Sequence, residues 1–295
     1  MQEKIEILSV DLLVKHRSLV NELRVLARSL RLEFGWHYLL DLTWILHQLG
    51  NAAGKRILDA GAGTGIVQWH LANQNAEVLS VDRGSRANLP LRFRNRFRVR
   101  GLRLADLVPY PRLVRQNLQR EGNAWGKLSV QVKELSALAN RQRSPGRVLI
   151  YNQDLRSMPD IDDCSVDAVV AISALEHNHP DDLGSAIREL LRALKPGGAF
   201  LATLGAARDQ DWLHSPSQGW CYTEASLRHL FDLPAEVPSN YDRYDELFAA
   251  LKDCAELRDN LAKFYFRSGE NGMPWGVWDP KYQTVGVCKI KGLRT

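Results

Sequence analysis

The stretch from Arg56 to Leu71 constrains this chain more than any other. It reads Arg-Ile-Leu-Asp-Ala-Gly-Ala-Gly-Thr-Gly-Ile-Val-Gln-Trp-His-Leu. It opens on a short apolar run, Ile57 and Leu58, suited to a buried strand, and Asp59 closes that run. Gly61, Gly63 and Gly65 follow at alternate positions, and Ile66, Val67, His70 and Leu71 then fall at helical spacing. Strand, glycine turn and helix together present a helix N-terminus to a nucleotide-like ligand. Glycine permits the tight turn and the close approach, because no Cβ stands between backbone and ligand.

The glycine spacing separates two ligand classes. A dinucleotide site calls for Gly-x-Gly-x-x-Gly facing a pyrophosphate. Here the third glycine comes one residue early, and position 66 is Ile. The acid at the strand tip, Asp59, would repel a pyrophosphate and would suit a ligand carrying an amino group. Over Asp59 to Gly65 the stretch resembles the first motif of the class I S-adenosylmethionine-dependent methyltransferases, acid-x-Gly-x-Gly-x-Gly. The resemblance implies that Asp59, Gly61, Ala62, Gly63 and Gly65 meet S-adenosylmethionine. It also implies a doubly wound, mostly parallel, seven-stranded Rossmann-like α/β sheet.

Further segments extend the resemblance. Glu77 to Val81 reads as the next strand and ends on Asp82, an acid able to accept hydrogen bonds from two ribose hydroxyls. By the resemblance, Arg83 lies against the adenine and Asp154 and Leu155 read it. The third strand is Arg147 to Tyr151, and the fourth is Val166 to Ile172, almost wholly apolar as a central parallel strand should be. Ser173 follows it as a further expected cofactor contact. Leu175-Glu176-His177 resembles the small-molecule branch of the family. The Asn/Asp-Pro-Pro-aromatic loop of enzymes that grip a flipped base is absent, which argues against nucleic-acid amino-methylation. Lys195-Pro196-Gly197-Gly198 is the turn the family places before its fifth strand, here Ala199 to Thr203.

Methyl transfer to a hydroxyl needs collinear positioning and a proton acceptor. His177, at the end of the fourth strand, is the first candidate base, and His37 is the second. His179 and His214 trail them. His177 and His179 with Asp181 and Asp182 lack a further ligand at firm spacing, so no metal site is expected.

Length and composition bound the remainder. A chain of 295 residues with 45% apolar content holds a large core. Four widely spaced cysteines form no disulfide framework, the charged N-terminus lacks a signal-peptide core, and no apolar run reaches membrane length. The expectation is a cytoplasmic protein without integral membrane association. Net charge is +5, unevenly placed: residues 83–126 hold eleven arginines and two acids, a surplus of nine on a mildly acidic body. Within that segment Arg92, Arg94, Arg96, Arg98 and Arg100 alternate with Leu91, Phe93, Asn95, Phe97 and Val99. Period two fits a strand with one arginine face, and the four-residue spacing of Phe93 and Phe97 also admits a helix.

Four parts follow from this reading. Residues 1–53 form an N-terminal helical lid, with a helix from Ile5 through Leu26 and a second from the Trp36-His37-Tyr38 region to Gly50. Residues 54–203 form the cofactor-binding core, with a basic inserted arm at 84–126 and a helix over Leu128 to Ala139. Residues 204–275 form a substrate-side lid, with helices from Thr223 to Phe231 and from Asp242 to Tyr265. Residues 276–295 supply the closing strand. The expected acceptor is small and polar or glycan-like, phosphate-bearing if the arginine arm meets it. A quinone or aromatic hydroxyl is the alternative acceptor. A different reading altogether is an RNA-binding protein that grips the backbone with the arginine arm.

Overall fold

In a computed structural model, residues 2–33, 35–120, 143–264, 273 and 277–292 are described. The helix expected over Leu128 to Ala139, together with Phe34, Tyr265 and Trp275, lies outside the described residues. The elements run β1 (Lys4–Ile7), α1 (Asp11–Lys15), α2 (Arg17–Leu30), α3 (Tyr38–Leu49), β2 (Arg56–Ala60), α4 (Val67–Asn73), β3 (Glu77–Val81), α5 (Leu91–Arg96), β4 (Arg98–Gly101) and α6 (Tyr110–Arg120). They continue with β5 (Arg147–Tyr151), β6 (Val166–Ile172), α7 (Pro180–Ala193), β7 (Leu194–Ala206), β8 (Trp212–His214), β9 (Gly219–Tyr222), α8 (Glu224–Leu230), α9 (Tyr244–Lys252), α10 (Ala255–Phe264) and β10 (Gln283–Ile290).

One sheet organises these elements, in the order β1-β10-β7-β6-β2-β3-β5-β4, with β9 beside the end of β7 and β8 beside β9. The pairings from β7 through β4 are all parallel, whereas β10 runs antiparallel to both β7 and β1. The α/β class and the mostly parallel sheet agree with the sequence reading. Among the described residues the sheet has ten strands where seven were expected.

Alternation along the central strands feeds two cores. Ile57, Val78, Val148, Val170 and Leu201 face a cluster with α2, α3 and α4. Leu58, Leu79, Val169, Phe200 and Ala202 face a second cluster with α7 and α8. Period two along each strand is the cause. Helix ends follow local chemistry. His179 caps α7 ahead of Pro180, and the Thr223 hydroxyl accepts from Ser226 N–H at 3.3 Å to start α8. Gly50 ends α3 with φ of +63°, as expected of a glycine stop.

Three expectations need correction. The N-terminus does not begin as helix. Lys4-Ile5-Glu6-Ile7 alternates, and the strand pairs with β10 through Ile5 and Val287. Ile5 and Leu8 had matched a helical spacing, but an open sheet edge won the segment. The Asp242–Tyr265 helix is two helices, α9 and α10, separated at Asp253 and Cys254. The arginine segment is not one strand, and the helix that the Phe93 and Phe97 spacing admitted covers part of it. Leu91–Arg96 is helical, Arg98–Gly101 is the edge strand beside β5, and the arginine face is divided between them.

Aromatic burial explains that division. Phe93 and Phe97 sit four residues apart and both pack on Trp69 of α4, with centroids at 4.7 and 4.8 Å. All three rings are essentially inaccessible to solvent. Arg94 donates to the Val108 carbonyl at 2.7 Å and Arg96 to the Ser29 hydroxyl at 2.6 Å, so these two stitch the segment down. Phe93→Ala should therefore destabilise the protein by about 3–5 kcal/mol in chemical denaturation, whereas exposed Arg98→Ser should change stability by less than about 0.5 kcal/mol. Equal, small effects would mean that the segment does not pack as described.

Candidate active site

Gly61, Asp82, Asp154 and Ser173 each follow a parallel strand, β2, β3, β5 and β6 respectively, so all four stand at the same sheet rim. That rim is where open α/β sheets place ligands. A cavity of about 430 Å³ is lined there by Asp82, Arg83, Asp154, Leu155, Ser173 and His177, among others. A neighbouring cavity of about 370 Å³ is lined by Asp59, Gly61, Ala62, Gly63 and Gly65. A third, of about 80 Å³, is lined by His37, Ser173, Glu176, His177 and Tyr282. Tyr38 borders all three, and Gly61 borders the two larger ones. Every expected cofactor contact and both leading candidate bases lie on one of these walls; His179 lines the 430 Å³ cavity, and His214 lines none of the three.

The glycine loop is held tightly. Gly61 and Ala62 donate to the Val81 carbonyl at 2.9 and 3.0 Å. Gly61 has φ of +69°, and a Cβ there would stand 2.4 Å from the Ala174 Cβ, so the turn needs glycine. The Gly63 N–H donates to Asp82 Oδ2 at 2.8 Å, and Gly84 N–H to Asp82 Oδ1 at 2.6 Å. The Asp82 carboxylate thus ties β3 to the loop and retains lone pairs for hydroxyl donors.

Beneath the loop lies a polar network that the sequence reading missed. Gln68 Nε2 donates to the carbonyls of Ala62, Gly63 and Gly65 at 3.3, 3.3 and 3.1 Å. Its Oε1 accepts from the Ser80 hydroxyl at 2.8 Å. Arg86, only 6% exposed, donates to Ser80 Oγ and, at 2.8 Å each, to the carbonyls of Ser80 and Tyr151. Arg86 had counted as one more arginine of the basic segment; its sequence neighbours give no sign of burial.

Two acids at the site differ in state. Burial pushes the Asp59 carboxyl up to about 7; Arg86 opposes that shift and Asp82 adds to it. Asp59 Oδ2 is buried with no hydrogen-bond partner among the described residues. Asp154 is held below the usual carboxylate range, chiefly by hydrogen bonds from Arg156 at 2.8–3.0 Å. Arg156 also meets Asp182 at 3.0 Å, so these side chains form one ionic rim on the larger cavity.

The two candidate bases share the small cavity. His37 is 5% exposed, and its Nδ1 lies 2.6 Å from the buried carboxylate of Asp41. Asp41 therefore holds the ring with its proton on Nδ1, and Nε2 accepts from the Tyr282 hydroxyl at 3.3 Å. His177 is exposed and donates from Nδ1 to the Gln218 carbonyl at 3.2 Å, which leaves its Nε2 lone pair free. Between them Glu176, 6% exposed, is pushed up by burial and accepts from Ser173 at 2.5 Å. Ser173 has φ of +44°, a strained setting for a residue other than glycine, and Thr203 holds its N–H. Glu176 was not singled out as a site residue from the sequence, and Tyr38 entered only as part of the Trp36-His37-Tyr38 segment of the N-terminal lid. The Leu-Glu-His pattern was the available signal for Glu176. Among the described residues, no group of His, Cys, Asp and Glu is placed to hold a metal.

Comparison with known proteins follows the same lines. Residues 117–202 match a family model described as a methyltransferase domain. Ubiquinone biosynthesis O-methyltransferase of Acinetobacter baumannii is 44% identical over 45 residues, which is 15% of this chain and 19% of that protein. The match thus spans about a fifth of the relative's length. A solved S-adenosylmethionine-dependent methyltransferase from Methanosarcina mazei is 16% identical, with a TM-score of 0.45 over 85% of this chain and 98% of that one. Magnesium protoporphyrin IX methyltransferase from Synechocystis, solved with bound S-adenosylmethionine, is 14% identical, with a TM-score of 0.40 over 96% and 82%.

The Asp59 shift has a definite sign. A carboxyl raised from 3.8 to about 7 keeps its proton in the folded chain after the unfolded chain has lost it. The Asp59 contribution to stability therefore falls as pH rises from about 4 to about 7. Asp59→Asn should remove that fall. Denaturation midpoints of variant and wild type should separate across this window, with the variant gaining. Parallel curves would show that Asp59 ionises normally.

Proposed function

We propose that this chain, residues 117–202 of which match a methyltransferase-domain model, is a class I S-adenosylmethionine-dependent methyltransferase that transfers a methyl group to a hydroxyl of a small polar acceptor. The observation that carries the reading is the pair of cavities joined at Gly61, with an unpartnered buried acid, Asp59, on one and a loop-bound acid, Asp82, on the other. This pairing fits a ligand with an amino group at one end and vicinal hydroxyls at the other.

The residues divide the work. Asp59 receives the ammonium, which supplies the missing donor for Oδ2 and favours the ionised carboxylate. Asp82 accepts from the ribose hydroxyls. Asp154 and Leu155 border the adenine, with Arg83 beside them, and Ser173 stands between the cofactor cavities and the small cavity. The bound cofactor supplies an electrophilic methyl on a positively charged sulfur. Tyr38, Ser173 and His177 border both the 430 Å³ cavity and the small cavity, where cofactor and acceptor would meet, so alignment supplies most of the acceleration. The acceptor proton leaves to an imidazole, with His177 the first candidate and His37 the second.

Aromatic walls suit a planar hydroxyl acceptor and equally the apolar face of a sugar. Tyr38, Trp220 and Tyr282 line the small cavity, and none of Arg92, Arg94, Arg96, Arg98 and Arg100 lines any of the three. The arginine-based argument for a phosphate-bearing acceptor therefore has no support in the cleft.

Calorimetry should show binding of S-adenosylmethionine and S-adenosylhomocysteine, and none of NAD. Asp82→Ala should weaken cofactor binding at least tenfold, since hydrogen bonds to a charged group contribute about 1.5–3 kcal/mol each. Tight NAD binding without affinity for the sulfur cofactors would overturn the assignment. A screen of aromatic and sugar hydroxyls with methyl-labelled cofactor identifies the acceptor. On that acceptor His177→Asn should lower kcat about a hundredfold or more with cofactor affinity retained. Wild-type kcat in His177→Asn would move the role to His37.

A further inference from the structure

The basic segment, unused by the cleft, ends in a feature of its own. After β4 the chain turns through Leu102 and Leu104, which are 60% and 72% exposed. Just before them Arg98 and Arg100 stand exposed on the edge strand, and neither side chain has an ion-pair partner among the described residues. Arg103, between the leucines, is exposed and meets Asp160 at 2.6 Å. We propose that this turn docks on an anionic lipid bilayer, with Leu102 and Leu104 entering the acyl boundary and Arg98 and Arg100 facing lipid phosphates.

Three observations carry the choice of partner. First, charge complementarity is local: the surplus of nine in residues 83–126 sits on an otherwise acidic chain. Arginines beside an anionic leaflet gain from its surface potential. Second, the turn is preformed. The Asp106 carboxylate accepts from Arg103 N–H at 2.9 Å and from Asn152 N–H at 3.1 Å. The Asn152 amide donates to the carbonyls of Ala105 and Asp106 at 3.0 and 3.3 Å. The leucines are thus displayed by a braced loop, so little ordering opposes insertion. Third, RNA is the poorer match. Single-stranded RNA is read by aromatic stacking between basic residues, and here Phe93 and Phe97 are 0% and 1% exposed against Trp69. Two exposed aliphatic side chains gain nothing from phosphates and much from hydrocarbon.

Placement gives the docking a consequence. β4 is parallel to β5, so the turn after β4 stands at the same sheet rim as the glycine loop, Asp82 and Asp154. Binding through Leu102 and Leu104 sets that rim toward the membrane, where a lipid-borne acceptor would be met.

Vesicle flotation tests this, using phosphatidylcholine alone and phosphatidylcholine with about one phosphatidylglycerol in three, at low and high salt. The expected result is flotation with the anionic vesicles only, weakened by salt. Leu102→Ser with Leu104→Ser should reduce partitioning about tenfold or more. Arg98→Ser with Arg100→Ser should reduce it about tenfold or more and flatten the salt dependence. All four positions are exposed, so thermal unfolding and S-adenosylhomocysteine calorimetry should match wild type in both variants. Absence of S-adenosylhomocysteine binding by the wild-type protein would count against the methyltransferase reading and leave the docking result standing. The docking proposal is overturned by equal binding to neutral vesicles, by wild-type flotation of the leucine variant, or by capture on polyuridylate without vesicle binding.

Discussion

The glycine loop rests on the Arg86 guanidinium, and much of the site depends on that contact. A buried cation is costly unless its donors are used, and burial does lower the Arg86 pKa from its ordinary value. The cost is offset by hydrogen bonds to Ser80 and Tyr151 and by the fields of Asp82, Asp59 and Asp106. The chain of contacts then runs from Arg86 through Ser80 and Gln68 to three loop carbonyls. The loop thus has its carbonyls fixed from below, while its N–H groups at Gly61, Ala62 and Gly63 are held by the Val81 carbonyl and the Asp82 carboxylate. Stiffness of that kind lowers the ordering cost of binding.

The same guanidinium sets the electrostatics above it. Asp59 and Asp82 repel each other, and the Arg86 guanidinium, held on β3 and β5, opposes that repulsion. Arg86 lowers both costs, yet burial still leaves Asp59 poised near neutrality. A carboxyl in that state responds strongly to an incoming ammonium, whereas half-buried Asp154, already paired with Arg156, responds little. The two acids of the cleft thus differ in physical state: desolvation governs Asp59 and fixed ion pairing governs Asp154.

Legibility in the sequence followed from how local each determinant is. The strand–glycine–helix unit, Asp82, Asp154 and the Leu-Glu-His turn are contiguous signals, and all of them reached the same rim. The arginine alternation misled, because Phe93 and Phe97 answered to Trp69, a residue more than twenty positions earlier. Lys4 to Ile7 misled for the same reason, since its partner β10 lies at the other end of the chain. Arg86 was unreadable as a scaffold residue, because its acceptors on Ser80 and Tyr151 converge only when β3 and β5 pair. Glu176 was contiguous with His177, but its burial depends on Tyr38 and Ser173 meeting over it.

The small cavity narrows the proton chemistry by elimination. Tyr38 and Tyr282 are pushed far above the ordinary phenol value, first by burial and then by the Glu176 carboxylate. Cys221 is raised likewise, by burial and then Glu176. These groups stay protonated near neutral pH, so on these walls they donate and do not accept. What remains able to take a proton is Nε2 of His177, Nε2 of His37 and the unpartnered Oε2 of Glu176. His37 is braced by Asp41 but already engaged by Tyr282, whereas His177 is unencumbered but solvent-exposed. A proton leaving through His177 therefore reaches water directly, and one leaving through His37 must first displace the Tyr282 hydrogen bond.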